Sequence, residues 1–253
     1  TKAAVAPELP ARIDSYLHCT MAADQTRFYD TLRKYHRTRV VAAISAGEIA
    51  EIGTAIFTGL LRLRQAAFYP EDAADNGKGV SSAKEEELLK NLMEVTAEGN
   101  KALVFSQFVT ALKHLERRFA AAGIKTLRLD GRTRNRTDLI ESFQSFEGPI
   151  VFLISLRAGG TGINLTAADY VFVCDPWWNP AVERQAIDRA HRIGRQSPVF
   201  VYRVITEGTV EHKVMELQEQ KRQLAADLIA EDTDGLASSV ADSSAEELLS
   251  LFD

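Results

Sequence analysis

The chain has 253 residues, 45% of them hydrophobic and 26% charged, and its formal net charge is −5. This composition is typical of a globular protein with a sizeable core, and the negative charge argues against a uniformly basic nucleic-acid binder. No apolar run approaches the ~20 residues that span a bilayer, and the N-terminus lacks a signal-peptide pattern. We therefore expect an intracellular protein with no membrane partner, in the cytoplasm and nucleoid or, in a eukaryote, the nucleus.

The first third of the chain has helical patterns after one short strand. Residues 12–21 alternate in polarity as a strand does, and residues 23–36 and 47–67 carry apolar stripes at helical spacing. Residues 71–80 are polar and rich in Gly and Asp, which is typical of a loop or domain boundary.

The rest of the chain alternates between apolar runs and helical patterns. We predict a helix that opens at Ser82 and closes at Gly99. Strands are predicted at 102–105, 126–129, 150–154, 170–174 and 199–205, and further helices at 109–122, 136–146, 181–193 and 209–230. Such alternation predicts an α/β fold, a mainly parallel sheet with helices on both faces. An acidic, Ser-rich stretch follows at 231–244.

The cysteines and histidines do not form a metal-binding pattern. Cys19 and Cys174 lie in apolar runs, and no Cys/His cluster has zinc spacing. We predict two buried thiols and no metal site formed by this chain alone.

A glycine-rich turn and an arginine-bearing helix stand out in the second half. The turn at 157–162 follows a predicted strand, and its glycines would let the backbone approach phosphate or ribose oxygens. In the predicted helix 181–193, Gln185, Arg189 and Arg192 fall at i, i+4 and i+7 and so share one face. By itself, this pattern favours a solvated surface on which the arginines pair with Glu183 and Asp188.

These segments resemble motifs of a known family. AGGTGINL, DPWWNP and QAIDRAHRIGR, in this order, are similar to motifs V and VI of the SWI/SNF-type ATPases, double-stranded-DNA translocases of helicase superfamily 2. KALVFSQF resembles motif IV, and LDGRTRNR resembles the motif after it. The resemblance extends from about Leu9 to Phe252, and it departs from the family at Arg195, where a glutamine is usual.

The resemblance implies a domain organisation. Residues 1–22 would form a linker and strand leaving a missing first motor lobe, and 23–80 a helical insertion. Residues 81–230 would form the C-terminal RecA-like lobe, and 231–253 an acidic tail with a short docking helix.

The resemblance also implies roles for individual residues. Gln185, Arg189 and Arg192 would be catalytic, with the two arginines acting as fingers on the γ-phosphate of ATP. The nucleotide-contacting positions would be Gly160, Gly162 and Asn164. The DNA-contacting positions would be Ser106, Gln107, Gly131, Arg132, Thr133, Arg134, Arg136, Ser155, Arg157 and Trp178.

Structural alternatives remain for two of these groups. The charged loop after Leu129 could simply be solvated surface, since charge runs usually are. Trp178 and its neighbour Trp177 could cap the core, which is the commoner fate of such large side chains.

The sequence also lacks half of an ATPase site. It has no G-x-x-x-x-G-K-[ST] motif and no Asp-Glu-x-His. By resemblance, ATP would be shared with the missing lobe of the same polypeptide, and Mg²⁺ would be held through that lobe only. The chain would be inactive alone, and its partners would be that lobe, double-stranded DNA and a DNA-bound protein complex.

Two other function classes stay open at this point. The chain could be a stand-alone DNA- or protein-binding module derived from such a motor. It could also be a small-molecule enzyme with a Rossmann-like fold, although it has neither the dinucleotide fingerprint nor a paired acid and base.

Overall fold

A six-stranded sheet organises the computed structural model of the protein, which describes residues 10–47, 49–159, 163–176, 180–192, 195, 197–216, 249–250 and 252. The strand order is β1-β6-β5-β2-β4-β3. The strands are β1 (Arg12–Cys19), β2 (Ala102–Ser106), β3 (Thr126–Leu129), β4 (Val151–Ser155), β5 (Tyr170–Val173) and β6 (Val199–Thr206). The pairs β5/β6, β2/β5, β2/β4 and β3/β4 are all parallel. The predicted α/β class with a parallel sheet is therefore confirmed.

The helices follow the predicted alternation. They are α1 (Ala23–Ala46), α2 (Ile49–Phe68), α3 (Pro70–Ala73), α4 (Ala83–Ala97), α5 (Val109–Ala121), α6 (Arg136–Ser145), α7 (Leu156–Gly159) and α8 (Pro180–Ile187). A 3₁₀ turn covers Asp75–Gly77, and the backbone is helical again over 210–216. None of these described helices is both long and apolar enough to cross a membrane.

Burial explains why the central strands are apolar along their whole length. Every residue of β2 and of β4 is buried, as expected for strands covered on both faces. The core between this sheet and its helices includes Phe105, Phe143 and Phe152, with the Phe143 and Phe152 ring centroids 5.1 Å apart. Cys19 and Cys174 are both buried, as predicted, and neither forms a disulfide.

The chain divides into two compact units. One comprises Thr1–His18 and Glu85–Ile205 and contains nearly all of the sheet, and the other comprises Cys19–Lys84 and Thr206–Asp253. The first unit therefore carries every residue for which the sequence predicted a ligand contact.

The second unit has a polar core of its own. The Lys84 ammonium lies 2.5 Å from a Glu211 carboxylate oxygen, and both side chains are fully buried. Burial raises the pKa of the Glu211 carboxyl, against the opposing effect of Lys84. The Gln25 amide donates to the Ala66 carbonyl and accepts from the Ala83 N–H, so it joins α1 to the ends of α2 and α4.

The segment at 249–252 also packs within this second unit. Phe252 is buried, and its ring lies where a side chain at Gly59 would stand, 2.6 Å from an ideal Cβ at that position. Phe252 therefore contacts helix α2, whereas residues 217–248, which include the acidic stretch 231–244, lie outside the described residues, so docking of the tail on the RecA-like lobe stays a prediction.

Two predicted helix ends were wrong. Helix α1 continues ten residues beyond His36, from Arg37 to Ala46, and ends at Gly47 with φ +77°. Helix α8 ends at Ile187 instead of continuing to residue 193, because the Arg189 and Ala190 N–H groups bond to carbonyls three residues back instead of four. The predicted stop at Gly194 lies outside the described residues.

Candidate functional site

The predicted DNA-contacting residues other than Trp178 follow three neighbouring strands at one edge of the sheet. The strand register pairs Ser106 of β2 with Ser155 of β4, and Leu129 of β3 with Ile154 of β4. Because parallel strands end at the same edge, the loops after β2, β3 and β4 lie side by side. The structure therefore brings these predicted residues together at the carboxyl edge of the sheet.

A buried carboxylate holds the loop after β2. Asp175 is fully buried directly after β5, and it accepts from the Ser106 hydroxyl at 2.6 Å and from the Gln107 N–H at 3.0 Å. The Ser106 oxygen in turn accepts from the Phe108 N–H at 2.9 Å, next to the first residue of α5. Hydrogen bonds thus join Asp175, the first residue of the DPWWNP motif, to the motif IV loop.

The loop after β3 is shaped by a second acid. The buried Asp130 carboxylate accepts from the Arg132 N–H at 2.8 Å and pairs with the Arg128 guanidinium. The Thr133 hydroxyl accepts from the Asp130 N–H at 3.0 Å. These bonds turn the Gly131 and Arg132 side of the loop outward, where both residues are exposed.

Exposure divides the predicted DNA contacts into two groups. Gly131, Arg132, Arg134 and Arg157 are exposed, and Gln107, Thr133 and Arg136 are half-buried. Ser106 and Ser155 are buried. The Ser155 hydroxyl accepts from the Ala158 N–H at 3.4 Å, at the start of α7.

The two serines therefore differ from what the sequence led us to expect. A serine that contacts a DNA backbone must present its hydroxyl at the surface, whereas these two hydroxyls are engaged inside the protein. Ser106 and Ser155 instead shape the loops after β2 and β4, because each hydroxyl accepts a hydrogen bond from a backbone N–H of the segment that follows. Gly160, Gly162 and Trp178 lie outside the described residues, so the predictions for them stay open.

The predicted catalytic residues lie along α8 and the turn after it. Gln185 and Arg192 are exposed and Arg189 is half-buried, with its Nε atom buried. Only Gln185 belongs to the helix, so the three side chains do not project from one helical face as predicted.

The end of motif V meets this turn. The Leu165 N–H donates to the Arg189 carbonyl at 3.0 Å, and Asn164 beside it is exposed. The predicted nucleotide loop and the first predicted arginine finger are therefore neighbours through their backbones.

This turn lies toward the amino ends of the strands. The ring of His191 lies 2.8 Å from the Pro10 carbonyl, just before β1, and the segment after it leads directly into β6 at Val199. The predicted catalytic residues and the predicted DNA contacts are thus at opposite ends of the sheet strands.

The buried Arg195 side chain holds the segments before β5 and β6 together. Its side chain is buried, and each of its five N–H donors has an acceptor between 2.5 and 2.9 Å away. The acceptors are the carbonyls of Thr166, Ala168, Ser197 and Pro198 and the carboxylate of Asp169. Burial lowers the pKa of Arg195, and the Asp169 carboxylate opposes that effect.

A second arginine anchors α8 to the sheet. Arg203 of β6 donates to Glu183 of α8 at 2.7 Å and to Asp14 of β1 at 2.8 Å. Burial alone would lower the pKa of Arg203, but the two carboxylates raise it overall. The first turn of α8 is therefore fixed to two strands.

Sequence reasoning missed Asp175 and Arg195 as organisers of the site. Asp175 had a signal, because an acid directly after a buried strand must find donors. Arg195 also had one, because it replaces the glutamine usual in the resembling family. In the part of the chain that the structure describes, no group of three or more His, Cys, Asp or Glu residues could hold a metal ion.

Comparison with known proteins identifies the domain. Residues 83–194 match the family model of the helicase conserved C-terminal domain. An uncharacterized ATP-dependent helicase of Mycoplasma pneumoniae is 36% identical over 257 residues, which cover all of this chain and 24% of that protein. The chain thus spans about a quarter of the length of this relative.

Solved structures of an archaeal ATPase have the same fold. The C-terminal domain of a Sulfolobus solfataricus SWI2/SNF2 ATPase matches with a TM-score of 0.71 and 28% identity, over 94% of this chain and 96% of that one. The core of a Sulfolobus solfataricus SWI2/SNF2 ATPase in complex with double-stranded DNA matches with a TM-score of 0.76 and 29% identity, over 94% of this chain and 49% of that one. Residues 83–194 therefore form a helicase conserved C-terminal domain, and the chain has the RecA-like fold of the C-terminal lobes of SWI/SNF-type ATPases.

Proposed function

We propose that this chain is the second motor lobe of an ATP-dependent double-stranded-DNA translocase. It would act on ATP together with a first lobe that supplies the phosphate-binding lysine and the Mg²⁺ ligands. A DNA-bound protein complex would be the object that the motor displaces or remodels. The compartment would be intracellular.

The arrangement around Arg189 supports a role in ATP hydrolysis. During phosphoryl transfer, negative charge on the γ-phosphoryl oxygens must be balanced, and guanidinium groups suit this geometry. Arg192 is exposed, and Arg189 adjoins the motif V loop through the Leu165 hydrogen bond. A side chain at this surface can reach a nucleotide that another lobe holds, with Gln185 beside it.

The carboxyl edge supports a role in DNA binding. Arg132, Arg134 and Arg157 are exposed on the loops after β3 and β4, and the Gly131 backbone is exposed between them. Such a cluster suits phosphates and carries no base code, because guanidinium contacts to phosphate do not depend on sequence. The solved relative that is bound to double-stranded DNA supports the same partner.

The single observation that carries the proposal is the separation of these two surfaces on one rigid sheet. One end of the strands presents exposed arginines on adjacent loops, and the other end presents Arg192 and the end of motif V at Asn164 and Leu165. A motor needs both surfaces, because closure of its lobes around ATP must be converted into movement along a phosphate backbone.

Arg192→Ala in the complete two-lobe protein tests the proposal. We expect ATP hydrolysis at saturating duplex DNA to fall by roughly 1,000-fold or more, which is the usual effect of removing an arginine finger. Affinity for ATP, measured with a fluorescent nucleotide, should change little because the first lobe holds most of the ligand. Near-normal turnover by the variant would overturn the proposal.

Arg184→Ala is the matched control. Arg184 is an exposed arginine of the same helix, one residue before Gln185 and therefore on a different face. Its removal takes away the same charge without touching the proposed site. We expect DNA-stimulated turnover within about twofold of the unaltered protein, as for a surface substitution away from the site.

A further inference from the structure

We propose that Arg195 is a positioning residue for ATP hydrolysis, because its guanidinium fastens the segment that carries Arg189 and Arg192 to the end of the motif V loop. This inference rests on the proposed function, since it assigns how those two arginines are held. Arg195 itself is buried and would not touch ATP.

The hydrogen bonding of the Arg195 guanidinium is complete. A guanidinium has five N–H donors, and each of the five in Arg195 donates a hydrogen bond to a protein acceptor. Four go to backbone carbonyls and one to the Asp169 carboxylate, which also compensates the buried charge. A fully satisfied buried charge is rigid, because each bond that breaks leaves a polar group without water.

The acceptors of Arg195 lie in two separate segments of the chain. Thr166, Ala168 and Asp169 lie between the motif V loop and β5, whereas Ser197 and Pro198 lie between the predicted fingers and β6. The guanidinium therefore bridges the two chain segments that leave the proposed nucleotide surface.

The backbone of Arg195 is also connected to the predicted arginine fingers, Arg189 and Arg192. The Arg195 N–H donates to the Arg192 carbonyl at 3.3 Å, and the Arg189 carbonyl accepts from the Leu165 N–H at 3.0 Å. The segment from Arg189 to Arg195 is thus tied to the loop at both of its ends. With the guanidinium loosened, the segment would lose its side-chain bonds to Thr166, Ala168 and Asp169 at the Arg195 end.

The chemistry also explains why arginine stands here. Glutamine, the usual family residue, offers two N–H donors on a shorter side chain, so at least three of the five acceptors would lose their partner. Lysine keeps the charge and offers three donors, but it lacks the planar fork. The hydrogen-bond pattern is therefore specific to arginine.

Arg195→Gln in the complete two-lobe protein tests the inference. We expect the kcat of DNA-stimulated ATP hydrolysis to fall by roughly 10- to 100-fold, as for a displacement of about 1 Å at a catalytic group. The KM for ATP and the affinity for duplex DNA should each stay within about threefold. A variant that merely unfolds more easily would keep its kcat at temperatures well below its midpoint, so the split between kcat and KM identifies positioning.

Gln144→Leu provides the matched control. The Gln144 amide accepts from the Ala167 N–H at 2.9 Å and donates to the Thr166 hydroxyl at 3.3 Å, so it holds the same loop from helix α6. No hydrogen bond joins Gln144 to residues 189–192 or 195, the part of the finger segment that the structure describes. We expect its kcat to stay within about threefold, and an equal loss of kcat in both variants would overturn the inference.

Arg195→Lys covers the case in which the glutamine variant does not fold. It should fold and show a kcat between those of the glutamine variant and the unaltered protein, because lysine restores part of the bonding. A kcat equal to that of the unaltered protein in this variant would overturn the inference. If Arg192→Ala abolishes turnover while Arg195→Gln does not, only the positioning role fails and the proposed function stands.

Discussion

The two ends of the sheet hold their loops with buried charges of opposite sign. At the carboxyl edge, the Asp175 carboxylate accepts from a hydroxyl and a backbone N–H. At the amino end, the Arg195 guanidinium donates to four backbone carbonyls and a carboxylate. The exposed arginines that we propose bind DNA and ATP lie on the loops that these buried charges hold in place.

The location of the backbone partners accounts for the difference. In a parallel sheet with helical crossovers, helices begin near the carboxyl ends of the strands, and helix starts leave N–H groups without partners. The Gln107 N–H that donates to Asp175 lies just before α5, so an acid suits this edge. The four carbonyls that Arg195 binds lie in non-helical segments that lead into β5 and β6, so a cation suits that end. The comparison predicts separate functional effects, with DNA affinity changed at one end and turnover at the other.

Removing the acid should have the largest effect on stability at the carboxyl edge. Asp175→Ala leaves the Gln107 N–H and the Ser106 hydroxyl without their acceptor in a buried site. We expect unfolding free energy to fall by about 2–4 kcal/mol, since buried donors lose a charged partner. Urea unfolding of the 253-residue chain, followed by tryptophan fluorescence, measures this.

A double-mutant cycle with Ser106→Ala sharpens that prediction. If the hydrogen bond is the cause, the two changes should be non-additive by about 1–2 kcal/mol, because the second removes a partner already lost. Glu147→Ala, at an exposed acid, should change stability by less than about 0.5 kcal/mol. Additivity of the two changes would show that Asp175 acts by another route.

The sequence predicted the strands of this sheet better than the ends of its helices. Strands β2, β4 and β5 are short apolar runs, and burial on both faces leaves a strong signal in composition. The end of α8 left no such signal. Arg189 follows four helix-compatible residues, yet its carbonyl is taken by Leu165, a contact from a segment 24 positions earlier. This hydrogen bond between distant segments forms only in the tertiary structure, so the local sequence does not reveal that the helix ends here.

The same limit applies to the site. Motif resemblance predicted which loops meet at the carboxyl edge, and strand register places them together. It could not predict that Ser106 and Ser155 face inward, because a serine at a strand end has the same sequence pattern in either orientation. Nor could it predict Arg195, whose five acceptors come from two segments that are joined only in the fold.

A smaller effect is expected from the exposed side of the carboxyl edge. Arg132→Ala should weaken binding to duplex DNA by roughly 3- to 10-fold and reduce the slope of log affinity against log salt by about 0.9, the share of one phosphate contact. The Arg132 N–H bond to Asp130 uses the backbone, so the loop should keep its shape. Fluorescence anisotropy at several salt concentrations measures both quantities.

Arg117→Ala tests whether that effect depends on position. Arg117 is also exposed, but it lies late in α5, away from the start of that helix at the carboxyl edge. It should leave the salt slope unchanged, although it removes the same charge. Equal slopes in both variants would show that the edge makes no special contribution, and the contrast between the two ends of the sheet would lose its functional meaning.

The smallest effect should come from a charge between the two ends. Asp14 of β1 pairs with Arg12 and Arg203, and its side chain is more than a third exposed. Burial raises its pKa, but the two arginines outweigh burial and hold it below its ordinary value of 3.8. A lowered pKa in the folded state stabilises the protein above the unfolded pKa, and this contribution is lost as pH falls through the folded pKa.

Asp14→Asn should therefore lower the unfolding free energy by about 0.5 kcal/mol at pH 6, since solvent screens so exposed a pair. The difference from the unaltered chain should be constant above about pH 5 and shrink as the pH falls below about 4. Urea unfolding from pH 3 to 6 measures it, with Glu147→Gln as the exposed control. A difference that grows toward acid would contradict the sign, and one of several kcal/mol at pH 6 would mean that mid-sheet charges matter as much as the buried charges at the two ends.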